Sequence, residues 1–177
     1  MIKPAILYSR EIEYNILNTW YDLRYQYYHG WVAANSPDIR NNTRDFHQFA
    51  SVVKDPASKD GERVIGYIEY QCDRTNNVAR SLIIASFEIG NTIFLRDCLQ
   101  VVDEVFTKYR FDKLTFTAYA DSPVVDPYRR YLSKVGGREI GTSLRESTLM
   151  DGKKHDLVFF EIHREDYLKS RKKGSED

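Results

Sequence analysis

The hydrophobic pattern of residues 63–119 changes from strand to helix and back to strand, and this order constrains how the sheet can be connected. Arg63–Cys72 and Val78–Ile89 are rich in β-branched and aromatic residues and flank a short polar turn, so they predict an antiparallel pair. Thr92–Tyr109 repeats apolar residues at helical spacing, and Leu114–Tyr119 alternates apolar with polar residues. A helix between two strands predicts a crossover, and therefore a mixed α/β sheet with antiparallel pairs.

The first sixty residues carry shorter patterns. Ala5–Tyr8 is a strand candidate, and Ser9 has the chemistry of an N-cap for a helical segment over Arg10–Trp31. Gly30 is a candidate break between two helices in this segment. One face of that helix is expected to carry the apolar residues Ile16, Leu17, Trp20, Leu23, Tyr27 and Trp31. A neighbouring face carries the tyrosines Tyr14, Tyr21, Tyr25 and Tyr28. Asn41–Thr43 predicts a turn and a helix cap. A second helix is indicated after it by apolar residues at helical spacing: Phe46, Phe49, Ala50 and Val53.

The C-terminal third has clearer signals for where its helix and strands end. Val124–Val135 predicts a short helix that ends at Gly136-Gly137, a residue type that tolerates a left-handed cap. Two strands, Arg138–Leu149 and Lys154–His163, flank Asp151-Gly152, which is a strong hairpin signal. We therefore expect a single domain over residues 1–168, followed by a charged, frayed tail over residues 169–177.

Composition excludes several classes of protein. The 177 residues have a formal net charge of +0, which argues against a general basic field for nucleic acid, and 42% of them are hydrophobic, too many for a disordered chain. The apolar run Ser81–Phe87 is too short to cross a membrane. The 2 cysteines form no disulfide framework, and the 4 histidines lack metal-ligand spacing. Without a secretory signal pattern, we expect a soluble cytoplasmic protein with no metal, no nucleic acid and no membrane partner.

Particular residues at the joints of this pattern resemble the GNAT N-acetyltransferase superfamily, most closely its RimJ/RimL-like branch. The segment 64–69 (VIGYIE) is similar to that family's second strand, and residues 128–141 (YRRYLSKVGGREIG) are similar to its helix and following strand. Residues 144–146, 151–153, 155–156 and 160–162 resemble its closing hairpin. The likeness spans about Arg63 to Tyr167 and implies a mostly antiparallel twisted sheet with a splay between the fourth and fifth strands.

The resemblance also implies acetyl-coenzyme A as co-substrate. Its pantetheine arm would lie along Ser86–Gly90, and its pyrophosphate on the loop Asn91–Asp97 at the start of the next helix, where unpaired N–H groups favour anions. The residues that the resemblance assigns to cofactor binding are Phe87, Glu88, Ile89, Asn91, Thr92, Phe94, Leu95, Arg96, Asp97, Ser122 and Tyr128.

This loop departs from the family pattern. Phe94 and Arg96 stand where the family has small residues, and Asp97 is expected to add a negative charge in the first helical turn, which would repel phosphate. Arg96 could offset this charge by contacting the anion directly. The alternative is that Phe94 belongs to the core and Asp97 is an ordinary helix charge, with no phosphate involved.

Acetyl transfer needs a base for the amine and an acid for the departing thiolate. Glu88 is the first base candidate and Glu69 the second; the alternative for both is an ordinary strand carboxylate. Tyr128 is the acid candidate and Tyr131 its substitute, the alternative being aromatic packing. Ser122 stands near a position where the family often has Asn, and its simplest role is a cap or turn.

The leading hypothesis is therefore an N-acetyltransferase acting on a primary amine: a peptide N-terminus, an amino acid, a polyamine or an amino sugar. Direct transfer in a ternary complex is expected, because no cysteine lies on the presumed cofactor strand and Cys98 is predicted to be buried. The competing hypothesis is a catalytically inactive module of the same fold that serves in interaction or ligand binding. The tyrosine-rich first helix is expected to serve the core or a homodimer contact more readily than an acceptor cleft.

Overall fold

The computed structural model describes residues 1–20, 22–29, 39, 44–58 and 61–173. Its strands are β1 (Ile2–Pro4), β2 (Phe46–Lys54), β3 (Glu62–Asp73), β4 (Val78–Ser86), β5 (Lys113–Tyr119), β6 (Arg138–Thr148) and β7 (Lys154–His163). Its α-helices are α1 (Ser9–Thr19), α2 (Gln26–His29), α3 (Thr92–Thr107), α4 (Val125–Val135) and α5 (Arg164–Lys173). The predicted α/β class, the hairpin strands and the crossover helix are confirmed.

The strands are hydrogen-bonded in the order β1-β2-β3-β4-β5-β7-β6. Strand β5 pairs antiparallel with β7 along its whole length, from Lys113–His163 to Tyr119–Leu157. Its parallel pairing with β4 is shorter and ends at Leu82–Phe116. Helix α3 connects β4 to β5, and these two strands are parallel, as is usual for strands joined by a crossover helix.

The chain packs into two compact units, and the first comprises Met1–Tyr70 and Ile83–Val102. Its core is a cluster of buried apolar side chains: Ala5, Ile12, Ile16, Ala50, Val52, Val64, Tyr67, Ala85 and Phe87. These side chains come from α1, from strands β2 to β4 and from the segments beside them, so burial of this shared face holds the unit together.

Several predictions in the N-terminal region are wrong. Ser9 is the first residue of α1 and not its N-cap, which is Tyr8. Residues Ala5–Tyr8 form a 3₁₀ helix, and the strand lies just before them at Ile2–Pro4. The expected helix at Phe46–Val53 is strand β2, which pairs antiparallel with β1. Its apolar spacing is compatible with a helix, but the ladder to a strand more than forty residues earlier decides the conformation.

The long first helix is also shorter than expected. Helix α1 ends at Thr19, and a 3₁₀ turn at Leu23–Tyr25 follows, capped by the Asp22 side chain, which accepts a hydrogen bond from Arg24 N. The buried residues of α1 are Ile12 and Ile16, whereas Leu17 is 64% exposed. The predicted roles of Tyr21, Gly30, Trp31 and Asn41–Thr43 fall outside the described residues, as does the side chain of Tyr28.

The second unit comprises Gln71–Leu82 and Asp103–Asp177. Helix α4 is capped at its C-terminus by Gly136, which has a φ of +74° and confirms the predicted left-handed cap. Residues Arg164–Lys173, which include the first part of the expected tail, form helix α5. Tyr167 of α5 packs its ring 4.7 Å from the ring of Phe106, so this helix is anchored by an apolar contact. The single domain over 1–168 stays a prediction.

Gly66 and Phe94 give the first test of this packing. A Cβ atom on Gly66 would meet three ring atoms of Phe94, with Cζ at 2.6 Å, whereas one on Gly141 would meet nothing within 4 Å. We expect Gly66→Ala to lower the free energy of unfolding by about 1–3 kcal/mol because of overpacking. Gly141→Ala, the control, should change it by less than about 0.5 kcal/mol. Urea unfolding measures both, and equal effects of the two variants would contradict the contact.

Candidate functional site

The N-terminus of helix α3 is capped by Asn91. Its side-chain Oδ1 accepts hydrogen bonds from Ile93 N at 2.9 Å and from Phe94 N at 3.1 Å. The helix begins at Thr92, so most of the segment Asn91–Asp97, predicted to be a phosphate loop, is helical. The connecting turn comes earlier, at residues 87–91, and includes Gly90 with a φ of +81°.

Glu88 lies in this turn and not on a strand, because β4 ends at Ser86. Its carboxylate accepts a hydrogen bond from Asn91 Nδ2 at 2.8 Å and forms an ion pair with Arg63. The Glu88 carboxylate is therefore held by two side chains of the first unit. These contacts give Glu88 a structural role in the turn and not that of a solvated strand carboxylate, which was the alternative. Its role as a base stays a prediction.

The residues around Glu88 differ in exposure. Phe87 is buried, and its carbonyl accepts a hydrogen bond from Tyr25 Oη at 3.0 Å. Ile89, Thr92 and Leu95 are exposed. The candidate cofactor residues of this segment therefore include a core residue as well as surface residues.

Asp97 lies in the second turn of α3, so its expected place in the first turn is wrong. The residue is only 1% exposed, and its Oδ2 accepts hydrogen bonds from Ser51 Oγ and from Met1 N, both at 2.7 Å. The carboxylate therefore points into the first unit and its charge is compensated there, away from the helix terminus. Arg96 is exposed, and Phe94 is buried against Gly66, as the core alternative predicted.

Glu69, the second base candidate, belongs to a hydrogen-bonded group of three side chains. Its Oε2 accepts from Tyr67 Oη at 2.6 Å and from Gln48 Nε2 at 2.5 Å. Tyr67 is fully buried, and burial, reinforced by the neighbouring carboxylate, raises the pKa of its hydroxyl. The hydroxyl therefore remains a hydrogen-bond donor to Glu69, and this carboxylate also has a structural role.

Tyr128 lies on α4 and packs against the sheet of the second unit. Its ring meets those of Phe116 and Phe160 edge to face, with centroids 5.5 Å and 6.2 Å away. Phe116 is the residue of β5 at which the registered pairs with β4 end. Ser122 lies in the turn between β5 and α4, where its carbonyl accepts a hydrogen bond from Val125 N at 3.1 Å, as a turn residue would.

Tyr131 faces a different group of side chains. Burial raises the pKa of Tyr131 to about 12, an effect that a hydrogen bond with Tyr167 opposes and the Asp103 carboxylate reinforces. Tyr167 in turn donates a hydrogen bond to Asp103 Oδ1 at 2.9 Å. Tyr131 is therefore a weaker proton donor than an ordinary tyrosine, and its neighbours belong to α5 and to the end of α3.

Comparison with solved structures finds acetyltransferases. The chain is similar to a GCN5-related N-acetyltransferase from Brucella melitensis, with a TM-score of 0.61 and 16% identity over 97% of this chain and 78% of that one. It is similar to a structure named "Probable acetyltransferase", with a TM-score of 0.60 and 14% identity over 93% and 92%. The spermidine/spermine N-acetyltransferase SpeG from Vibrio cholerae gives a TM-score of 0.55 and 21% identity over 72% and 70%.

The chain has the GNAT N-acetyltransferase fold. No protein-family model and no curated protein sequence matches it. The predicted fold is thereby confirmed, whereas the RimJ/RimL-like branch stays a prediction. Among the described residues, no helix combines the length and apolar character that a membrane span needs.

In this fold, the resemblance assigns the coenzyme A pyrophosphate to the first amides of α3. The amides of Ile93 and Phe94 donate to Asn91 Oδ1, and the amide of Asn91 donates to Glu88 O at 3.2 Å. These donors are therefore satisfied within the chain, and a carboxylate lies beside them. The described contacts do not fit a pyrophosphate at this position.

The cluster that His155 forms with Asp121 and Asp151 was not predicted from the sequence. Its ring is only 4% exposed, with Nδ1 2.7 Å from Asp121 Oδ2 and Nε2 3.0 Å from Asp151 Oδ1. The spacing of Asp151 and His155 across the hairpin was a local signal, but Asp121 is distant in sequence. The cluster connects the hairpin turn to the turn that carries Ser122, so it positions the start of α4.

The cluster predicts a pH dependence of stability. Hydrogen bonds to Asp151 and then to Asp121 hold the pKa of His155 above its ordinary 6.5. A raised folded-state pKa gives stability that is complete below about pH 6.5 and is lost as the pH rises through the folded value. We expect the free energy of unfolding to fall over that range, and to fall less in Asp151→Asn. Urea unfolding at pH 5.5 and 8.5 measures this, and NMR titration of His155 at or below 6.5 would contradict it.

Proposed function

We propose that this chain is an N-acetyltransferase that transfers an acetyl group from acetyl-coenzyme A to a primary amine. The acceptor is a peptide N-terminus, an amino acid, a polyamine or an amino sugar, and transfer is direct within a ternary complex. The observation that carries the proposal is the early end of the β4–β5 ladder at Leu82–Phe116, in a chain with the acetyltransferase fold. Strand β4 continues to Ser86, so it has backbone beyond the last registered pair.

Tyr128 is the proposed acid because it packs on Phe116, the last β5 residue in register with β4. In the reaction, the amine nitrogen forms a bond to the thioester carbonyl carbon and the C–S bond then breaks. The amine proton passes to a base or to water, and the departing thiolate takes a proton from the Tyr128 hydroxyl, which regains one from solvent. Tyr131 is the weaker candidate because of its raised pKa.

Direct transfer is supported by the state of Cys98. The residue is buried, and burial, with the neighbouring Asp97 carboxylate, raises the pKa of its thiol. A thiol that stays protonated is a poor nucleophile and therefore a poor carrier of an acetyl group. Cys72 is also buried.

The amine acceptor is proposed from the similarity of the fold to that of acetyltransferases. A polyamine is one member of the proposed range because SpeG, a protein of similar fold, is a spermidine/spermine N-acetyltransferase. Tyr14 and Leu17 on α1 are exposed and therefore do not belong to the core. A homodimer contact is the role proposed for this face of the helix.

The second candidate function is an inactive module of the same fold that binds another protein. The observation that favours it is the start of α3, where Asn91 and Glu88 satisfy the amides that would otherwise receive a pyrophosphate. Such a module would bind no acyl donor at all.

Donor binding separates the two functions. A ligand that binds only the folded state, at a concentration 100 times its Kd, stabilises it by about 2.7 kcal/mol, roughly 5–10 °C for a chain of this size. We expect acetyl-coenzyme A at millimolar concentration to raise Tm, and thiol release to accompany turnover with at least one amine of a panel covering the four acceptor classes. An unchanged Tm together with no thiol release would favour the inactive module.

The two tyrosines of α4 give a matched pair of variants. We expect Tyr128→Phe to lower kcat by about 10²–10⁴-fold, because an acid that acts in the transition state is lost. The Kd for the donor should change much less, as measured by calorimetry. Tyr131→Phe should lower Tm and leave kcat nearly unchanged, since it removes a hydrogen bond to Tyr167. The reverse result would move the acid role to Tyr131, and an unchanged kcat in both variants would remove both residues from the mechanism.

A further inference from the structure

The turn at residues 87–91 supports an inference about the donor, and it depends on the proposed acetyl transfer. We infer that the Glu88 carboxylate occupies the place of a phosphate at the start of α3. The donor is then recognised by its acyl-pantetheine portion, and its nucleotide half contributes little to binding. The class of donor that the chain would then accept is an acyl-pantetheine thioester, with or without the nucleotide.

The hydrogen-bond donors of this helix terminus support the inference first. The amides of Ile93 and Phe94 share one acceptor, Asn91 Oδ1, and the Asn91 side-chain amide donates to Glu88 Oε2 at 2.8 Å. Leu95 N donates to Asn91 O at 3.1 Å, as the first regular helical bond. A phosphate would have to displace Asn91 before it could accept from the amides of Ile93 and Phe94.

The local charge supports it second. Glu88 forms an ion pair with Arg63, and the same guanidinium lies 3.6 Å from Asp55 Oδ2. One cation therefore faces two carboxylates. A nucleotide phosphate that approached Arg63 would compete with both carboxylates and would meet the repulsion of Glu88.

The packing of Phe94 supports it third. Its ring fills the space above Gly66 on β3, where even a Cβ atom would overlap. Phe94 is in the first turn of α3, so the ring fixes that turn against the strand. Small residues would leave the backbone open to a phosphate, whereas this contact closes one face of the turn.

Binding of three probes tests the inference directly. Calorimetry with acetyl-coenzyme A, S-acetylpantetheine and adenosine 3′,5′-bisphosphate separates the two halves of the donor. We expect similar Kd values for the first two and no measurable binding of the third. A nucleotide half held by charge-assisted hydrogen bonds would make acetyl-coenzyme A about 10- to 100-fold tighter than S-acetylpantetheine, and that result would overturn the inference.

Variants at the turn should bind acetyl-coenzyme A more tightly if Glu88 and Asn91 exclude a phosphate. We expect Glu88→Gln to tighten acetyl-coenzyme A by about tenfold, the effect of removing one repulsive charge, and to leave S-acetylpantetheine unchanged. Asn91→Gly, which releases the amides of Ile93 and Phe94, should act in the same direction and serves if Glu88→Gln does not fold. Glu165→Gln removes the same charge from exposed α5 and is the matched control.

The results also distinguish the inference from the proposed function. If the wild-type protein binds neither thioester, acetyl transfer fails, but the variants still decide the role of Glu88. Gain of adenosine 3′,5′-bisphosphate binding in Glu88→Gln or Asn91→Gly, and not in Glu165→Gln, would then uphold that role. Absence of a gain in both folded variants would overturn it.

Discussion

Strand β5 is held by two hydrogen-bonded ladders of unequal length, and helix α4 packs at the residue where the shorter ladder ends. Its antiparallel ladder with β7 runs through seven residue pairs, whereas the parallel ladder with β4 ends at Leu82–Phe116. Phe116 is the point at which one ladder stops and the other continues, and its ring stacks on Phe160 and meets Tyr128 edge to face. An aromatic contact therefore ties α4 to the place where the sheet changes its hydrogen bonding.

The elements that the sequence predicted correctly are those with local signals. Asp151-Gly152 sets the β6–β7 hairpin, and Gly136 ends α4 because both positions need a backbone that few other residues adopt. Strand β2 had no such signal. Phe46, Phe49, Ala50 and Val53 fit helical spacing, but residues 49–51 pair with β1, a partner that only the folded chain brings near.

The candidate site divides in the same way. The core position of Phe94 could be predicted from sequence, because a buried aromatic at helical spacing leaves a local mark, whereas the cap formed by Asn91 was not predicted. The direction of the Asp97 side chain could not, since its partners, Ser51 and Met1 N, come from distant parts of the chain. The same holds for Glu88, whose counterion Arg63 lies 25 residues earlier, and for His155 with Asp121.

The contacts of the two candidate bases bear on the acceptor amine. Glu88 is engaged by Arg63 and Asn91, and Glu69 by Tyr67 and Gln48, so each carboxylate already has contacts within the first unit. An acceptor that arrives partly neutral then requires less of the protein. At pH 7, about one-tenth of an α-amine with a pKa of about 8 is neutral, compared with about 1 in 2,500 for a lysine-like amine with a pKa of about 10.4. In the proposed transfer, a weakly basic acceptor amine therefore depends less on a protein base than a strongly basic one, and both candidate bases are already held by contacts within the chain.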